Sequence, residues 1–278
     1  MTLPIEKPVR KVILRSCLMV MLCLPGPVAA APPKRIVSLN LCADQLLLAL
    51  ADRSQIAALT RFARDTAMSA EAARAGNIRT SRGSAEDVLA LNPDLILASP
   101  GRRSGTMAAL KGQHYQILEL PSAESYDAII TQIRQVADAV GHPERGVAMI
   151  RTMNAELAAI PKVSGRPIAA YYQRRGYLTG TGTLIDDLMQ RLGLRNLAGV
   201  LGLPALSRLS VEQMVMARPD YLIVESATDS VTDQGTEMLH HPALADIPRL
   251  KLPQAWTVCG GPSYVRAAKS LSAQLRAR

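Results

Sequence analysis

The sequence predicts an α/β protein of two lobes with mostly parallel sheets, joined by a long rigid helix, with a cleft between the lobes. Three observations carry this. A stretch running from Ser84 to Ala98 recurs from Ser210 to Val224, with Ser84/Ser210, Glu86/Glu212, Pro93/Pro219 and Asp94/Asp220 in register. The copies lie half a chain apart, far beyond the roughly 20–50-residue period of a solenoid. Apolar runs that read as strands alternate with helical patterns in both halves, the signature of parallel sheets. Between the halves, Tyr126 to Ile160 keeps a helical period through Ile129, Ile130, Ile133, Val136, Ala137 and Val140. That helix, kinked at Pro143, would hold about 35 residues and span roughly 50 Å.

Residues 1–31 are set apart as a secretory signal. Lys7, Arg10, Lys11 and Arg15 precede the apolar run Cys17–Leu24, Pro25-Gly26-Pro27 ends it, and Val28 to Ala31 offers small residues for cleavage. Neither Cys17 nor Cys23 sits in a lipobox, so a lipid anchor is not expected. The N-terminal lobe is assigned to 32–123, the connecting helix to 124–160 and the C-terminal lobe to 161–278. No later segment holds 18 apolar residues without charge, so the mature chain is expected to be soluble.

In the first lobe, Arg35 to Leu39 reads as a buried strand, Leu46 to Leu50 as an apolar helix and Gln55 to Thr60 as a second strand. Residues 61–83 read as a short helix and a surface loop. The first repeat copy follows, with Ser84 and Asp87 as a capping box and Leu95 to Ala98 as its strand. Gln116 to Leu120 closes the lobe. In the second, Ile168 to Tyr172 is a strand, Leu184 to Leu192 a helix, and Ser210 caps the second copy with Gln213 in the reciprocal role. Trp256 to Cys259 reads as the final strand and residues 263–278 as a terminal helix. Sheets of this kind bind ligands beyond the carboxyl ends of their strands. Two such edges facing each other make one shared pocket.

The loops after those strands therefore hold the candidate ligand contacts. Arg102 and Arg103 lie between Gly101 and Gly105, and Arg174 and Arg175 hold the matching place before Gly176. Guanidinium groups there suit carboxylate, phosphate or catecholate oxygens, or serve only solubility. Tyr171, Tyr172, Tyr177, Trp256 and Tyr264 fall at strand ends and loops of the second lobe, placed either to stack on a planar guest or to fill the core. Cys42 and Cys259 are the cysteines left after the leader; in an exported protein two cysteines most often pair, and a bridge would pin the lobes together. As free thiols they would instead meet a soft metal. His114, His142, His240 and His241 show no metal-ligand spacing.

Composition narrows the function classes. The chain carries +9 overall, with Lys and Arg scattered and no run of five, so nucleic-acid binding is not expected. It contains no Gly-x-Ser-x-Gly elbow, no GxxxxGK loop and no HExxH pair. No resident cofactor or protein-held metal is expected, and no enzyme activity.

The order of these features resembles the class III periplasmic solute-binding proteins, which pass ferric siderophores, haem or cobalamin to ABC importers. The resemblance rests on Arg35 to Leu39, Ser84 to Ile96, the central helical stretch, Leu209 to Ile223, His241-Pro242-Ala243-Leu244 and Cys259-Gly260-Gly261-Pro262. It implies a monomer in the periplasm whose partner is an ABC permease dimer and whose guest is an iron or cobalt chelate; the candidate arginines of the cleft lean this toward an anionic ferric siderophore. It also implies that Glu86 and Glu212 dock into arginine pockets of the permease. On one helix such a Glu merely suits the helix dipole; recurrence in both halves favours docking. A two-lobed tetrapyrrole chelatase and a sensor-associated binding module are the alternatives.

Overall fold

A computed structural model describes residues 31–100, 105–110 and 115–278. The first lobe contains β1 (Ile36–Ser38), α1 (Leu41–Leu50), β2 (Ile56–Thr60), α2 (Ala72–Ala75), β3 (Thr80–Ser81), α3 (Ala85–Leu91), β4 (Leu95–Ala98), α4 (Gly105–Leu110) and β5 (Gln116–Glu119). Its strands form one parallel sheet in the order β3-β2-β1-β4-β5. β1 and β4 are fully buried, which explains their apolar sequences, broken only at Ser38.

Two helices follow, α5 (Tyr126–Ala139) and α6 (Pro143–Ala158). The single long rod expected from the sequence is replaced by a helical hairpin. Gly141 takes φ +83°, its amide and that of His142 close back on Asp138 and Ala137, and Pro143 opens the next helix. The Tyr126 hydroxyl donates to Asn154 Oδ1 at 2.8 Å, two positions that a continuous helix would hold about 40 Å apart. Periodicity alone could not reveal this, because both helices bury one face and the apolar period resumes after the turn. α6 carries the chain across to the second lobe.

That lobe contains β6 (Ile168–Tyr172), β7 (Tyr177–Thr179), α7 (Leu184–Arg191), β8 (Arg195–Asn196), α8 (Leu197–Val200), β9 (Leu206–Arg208), α9 (Val211–Ala217), β10 (Tyr221–Glu225), α10 (Gln234–Glu237), β11 (Arg249–Leu252) and α11 (Ser263–Arg276). Its sheet runs β11-β10-β6-β7-β9, with β8 also on β6; β7 pairs antiparallel on both sides and the rest are parallel. The expected strand Trp256–Cys259 is not formed. Pro253 begins a 3₁₀ turn in which the Trp256 amide bonds Pro253 O and the Thr257 and Val258 amides bond Gln254 O. The edge strand is β11, whose Leu250 and Leu252 are buried while Lys251 faces solvent.

The repeated segments do the same work in each lobe. Asn92 and Arg218 end α3 and α9 in the left-handed region, at φ +41° and +45°. The Asp that follows each then clamps the lobe's first strand. Asp94 accepts from the Lys34 and Arg35 amides at 2.6 and 2.9 Å, and Asp220 accepts from the Ile168 amide at 2.7 Å. The two caps differ. Ser210 and Gln213 form a full capping box, whereas Asp87 turns away to Ser81 and the Arg82 amide, leaving Ser84 to cap alone. Helices α1, α5, α6, α7 and α11 contribute to one apolar core that runs through both lobes.

Candidate functional site

The carboxyl ends of both sheets meet in a cleft. Asn40 follows β1, Leu120 follows β5, Gln173 follows β6, Glu225 ends β10 and Gln254 lies just beyond β11. Two cavities lie between these edges. One, of about 110 Å³, is walled by Asn40, Cys42 and Leu120 to Ala123 of the first lobe, by Glu124 and Gln132 of the connecting segment, and by Leu184, Thr257, Val258 and Gly260 of the second lobe. The other, of about 260 Å³, is lined by Tyr171, Gln173, Thr179, Thr183, Glu225 and Gln254. Glu124, Leu184, Thr257 and Val258 line both, so the two spaces share a wall. Among the described residues, their polar lining consists of amides, hydroxyls and carboxylates, without Arg or Lys. Glu225 is buried and accepts from Gln173 Nε2 at 3.2 Å and from the Tyr171 hydroxyl at 3.4 Å. Burial, with the Glu225 charge adding to it, pushes the Tyr171 phenol well above its ordinary range.

One wall rises from β7 and β9. Their antiparallel register pairs Tyr177 with Arg208, Leu178 with Ser207 and Thr179 with Leu206. Strand alternation puts Leu178 and Ser207 on the inner face and the other four on the outer face, where Thr179 reaches the cavity. Tyr177 carries the Arg208 guanidinium 5.2 Å from its ring centroid, and Leu206 is 59% exposed. Beside this wall lies an open pocket of about 980 Å³ lined by Arg175, Arg208, Ser210, Asp233 and Gly235.

The structure sorts the residues singled out from the sequence. Arg102 and Arg103 lie outside the described residues. Arg174 is ion-paired with Asp233, and Arg175 stands in the open pocket, where its carbonyl accepts from Arg208 Nε and Nη2 at 3.2 and 3.1 Å. Neither arginine reaches the two cleft cavities. Of the aromatics, Tyr171 lines a cavity and Tyr177 the wall, while Trp256 packs on the shared core. Tyr172 and Tyr264 are core residues rather than ligand contacts. Tyr172 points to the opposite face of β6, donates to Leu209 O at 2.8 Å and has its phenol pushed up to about 12 by burial. Tyr264 donates to Asp187 Oδ1 at 2.7 Å and packs against Tyr126.

The histidines have structural partners: His142 lies 3.2 Å from Gln55 Oε1, His240 bonds Thr228 O, and His241 Nδ1 accepts from the Ala243 amide. His114 lies outside the described residues. Among the described residues, no group of three or more His, Cys, Asp or Glu gathers as metal ligands would. Sequence reasoning missed Asn40, Glu124, Gln173, Thr179, Glu225 and Gln254. All but Glu124 and Thr179 sit at or within two residues of the end of a parallel strand, the signal that should have selected them.

Glu86 and Glu212 open α3 and α9, both exposed, and among the described residues neither makes an ion pair. Both carboxyls are held below their ordinary range: Glu86 by its own amide and then Ser84, Glu212 by the Ser210 hydroxyl and then its own amide. Each therefore presents a fixed negative charge at a helix start. A disulfide joins Cys42, in the first turn of α1, to Cys259 of the second lobe, with Cα atoms 5.2 Å apart.

Comparison with known proteins matches this architecture. The family described as "Periplasmic binding protein" matches residues 36–251. A cobalamin-binding protein of Halobacterium salinarum is 26% identical over 203 residues, 71% of this chain and 55% of that protein; the chain spans about half of that relative's length. A vitamin B12-binding protein of Pectobacterium atrosepticum is 24% identical over 259 residues, covering 89% of this chain and 90% of the relative. The heme-binding protein RhuT of Roseiflexus sp. RS-1 superposes with a TM-score of 0.68 at 24% identity, over 87% of this chain and 97% of its own. The vitamin B12-binding protein BtuF of Vibrio cholerae gives 0.65 at 17%, over 88% and 98%. These structural likenesses establish the two-lobed fold. Because the family's sequence pattern spans both sheets and the cleft they share, the chain belongs to the periplasmic binding proteins, a family of binders rather than enzymes.

Proposed function

We propose that this protein is exported, loses residues 1–31, and captures a corrinoid of the cobalamin type in the inter-lobe cleft for delivery to an ABC permease. The observation that carries the ligand class is the lining of the cleft cavities. Gln173, Gln254, Thr179, Thr183, Thr257 and Glu225 of the second lobe, Asn40 of the first, and Glu124 and Gln132 between them offer amide, hydroxyl and carboxylate groups. Such a lining complements the neutral amide side chains around a corrin ring. It is poorly suited to a multiply charged anion, since burying a carboxylate against one costs several kcal/mol. Haem would want an axial ligand. Among the described residues Tyr171 lines these cavities, and its burial beside Glu225 disfavours the phenolate that would ligate iron. The cobalamin-binding relatives point the same way.

The Arg175–Arg208 pocket supports a second reading, a ferric siderophore, because its guanidinium groups would receive anionic chelate oxygens. A thermal-shift and calorimetric panel of cyanocobalamin, haemin and ferric desferrioxamine decides between them. At 100-fold excess over Kd the bound ligand should add about 2.7 kcal/mol. Stabilisation by haemin or the ferric chelate with none by cyanocobalamin would overturn the corrinoid reading. Export is supported by the leader pattern, and among the described residues no helix is long and apolar enough to cross a membrane. Glu86 and Glu212, one on each lobe, are the proposed contacts to the permease.

A further inference from the structure

The cleft's shared wall belongs by sequence to the second lobe and by attachment to the first. Thr257 and Val258 line both cavities, and they lie in the irregular stretch between the 254–256 turn and α11. No sheet holds this stretch. Two neighbouring anchors tie it across the cleft instead. Cys259 is bonded to Cys42 at the start of α1. Gly260 lies so close to the first lobe that a Cβ there would stand 2.5 Å from the Ala123 Cβ and 2.8 Å from Ile129 Cγ1. Cys259 is 3% exposed while Cys42 is half-buried on the wall of the smaller cavity, so the anchor sits at the edge of the guest space. On its other side the Trp256, Thr257 and Val258 amides and the Thr257 hydroxyl bond to the preceding turn, the Ser263 hydroxyl donates to Trp256 O at 3.3 Å, and Thr257 also reaches the Tyr171 hydroxyl.

We propose that Cys42 and Cys259 are ligand-positioning residues: their bridge fastens the Thr257–Val258 wall to the first lobe and sets the width of the space in which the guest sits. This rests on the reading of the cleft as the ligand site. When the lobes move relative to each other, the wall stays with α1 and the turn that follows β11 takes up the change. The bridge need not touch the guest to matter. It removes one degree of freedom from the residues that do, and a pre-organised wall slows ligand escape more than it changes capture.

Two measurements on the oxidised mature protein and its dithiothreitol-reduced form test this. The first is hydrogen exchange of the Trp256, Thr257 and Val258 amides in ligand-free protein, at times too short for the sheet strands to exchange. Reduction should speed these amides at least tenfold; equal rates would mean that packing alone holds the wall, and the proposal fails. The second is stopped-flow binding of cyanocobalamin, haemin and ferric desferrioxamine. Whichever probe binds the oxidised protein should leave the reduced protein and the C42S/C259S variant at least tenfold faster, with its on-rate changed less than threefold. Unchanged dissociation despite faster exchange overturns the positioning role. If no probe binds the oxidised protein, the cleft reading fails and the claim about guest retention falls with it, while the exchange rates still judge the anchor. Gly260→Ala, which loosens the second anchor and keeps the bridge, should raise dissociation in the same direction.

Discussion

The carboxylate of Asp44 accepts the amide of Thr60 at 3.1 Å and also its hydroxyl, tying the first turn of α1 to the end of β2. Asp44 is fully buried, and the groups around its carboxylate are Thr60 and Ser38, both neutral. Burial raises its pKa from 3.8 to about 6, against the lowering effect of those hydrogen bonds. The folded state therefore holds this proton more tightly than the unfolded chain does. Between pH 3.8 and 6 the unfolded state binds fewer protons, so this group's contribution to stability falls as pH rises and its cost is complete above pH 6. The cost is on the order of 3 kcal/mol. Asp44→Asn should flatten the dependence: urea unfolding at pH 4.5 and 7.5 would show a smaller loss in the variant than in the parent. Equal losses in both would refute the assignment.

Gly146 lies in α6 where the hairpin helices touch. A Cβ there would stand 2.6 Å from the Ala137 Cβ. In an exposed helix Gly→Ala gains up to about 1 kcal/mol, yet here overpacking should cost about 1–3 kcal/mol and prevail. Chemical denaturation of Gly146→Ala tests the sign, and a more stable variant would show that the helices can move apart freely.

Glu86 and Glu212 are exposed and lie outside both cleft cavities. Glu86→Lys and Glu212→Lys should each lower stimulation of the reconstituted importer's ATPase by tenfold or more, with ligand Kd within twofold of the parent. A weakened Kd would instead tie these residues to the pocket.

The Cys42–Cys259 bridge closes a loop of 217 positions. By loop-closure entropy its removal destabilises the mature chain by about 5 kcal/mol. For a protein of this size that corresponds to a drop in Tm on the order of 10 °C. Calorimetry of the oxidised protein with and without reductant reads this directly, and an unchanged Tm would show that the unfolded chain gains little freedom.

Much of the fold was legible because burial writes itself into sequence. The buried strands β1, β4, β6 and β10 are apolar runs, broken only at the last residue of β1 and β10, and the Pro-Asp turns of the repeat mark where each chain half doubles back. The hairpin of α5 and α6 was not legible. Gly141 and Pro143 announce an interruption, but the sequence does not say whether the next helix continues or folds back; that depends on Gly146 meeting Ala137. β11 hid for a similar reason, since an edge strand of four residues between prolines carries little pattern.

The site was legible by position more than by residue type. Arginines and aromatics drew attention, yet Tyr172 and Tyr264 turned into the core and Arg174 toward Asp233. The amides and carboxylates at the strand ends, such as Gln173 and Glu225, look ordinary in sequence. They matter only because the two sheet edges face each other.

From the sequence alone came the doubling, the strand-helix alternation and the pair of outward glutamates, since each is a local pattern set by propensity, capping and burial. Tertiary structure decided what those patterns enclose: which lobe holds the Thr257–Val258 wall, which tyrosines face the cleft, and that α5 and α6 fold back together. Those outcomes depend on contacts between residues far apart in the chain, where packing and a single covalent bridge choose among arrangements that local preference leaves equal.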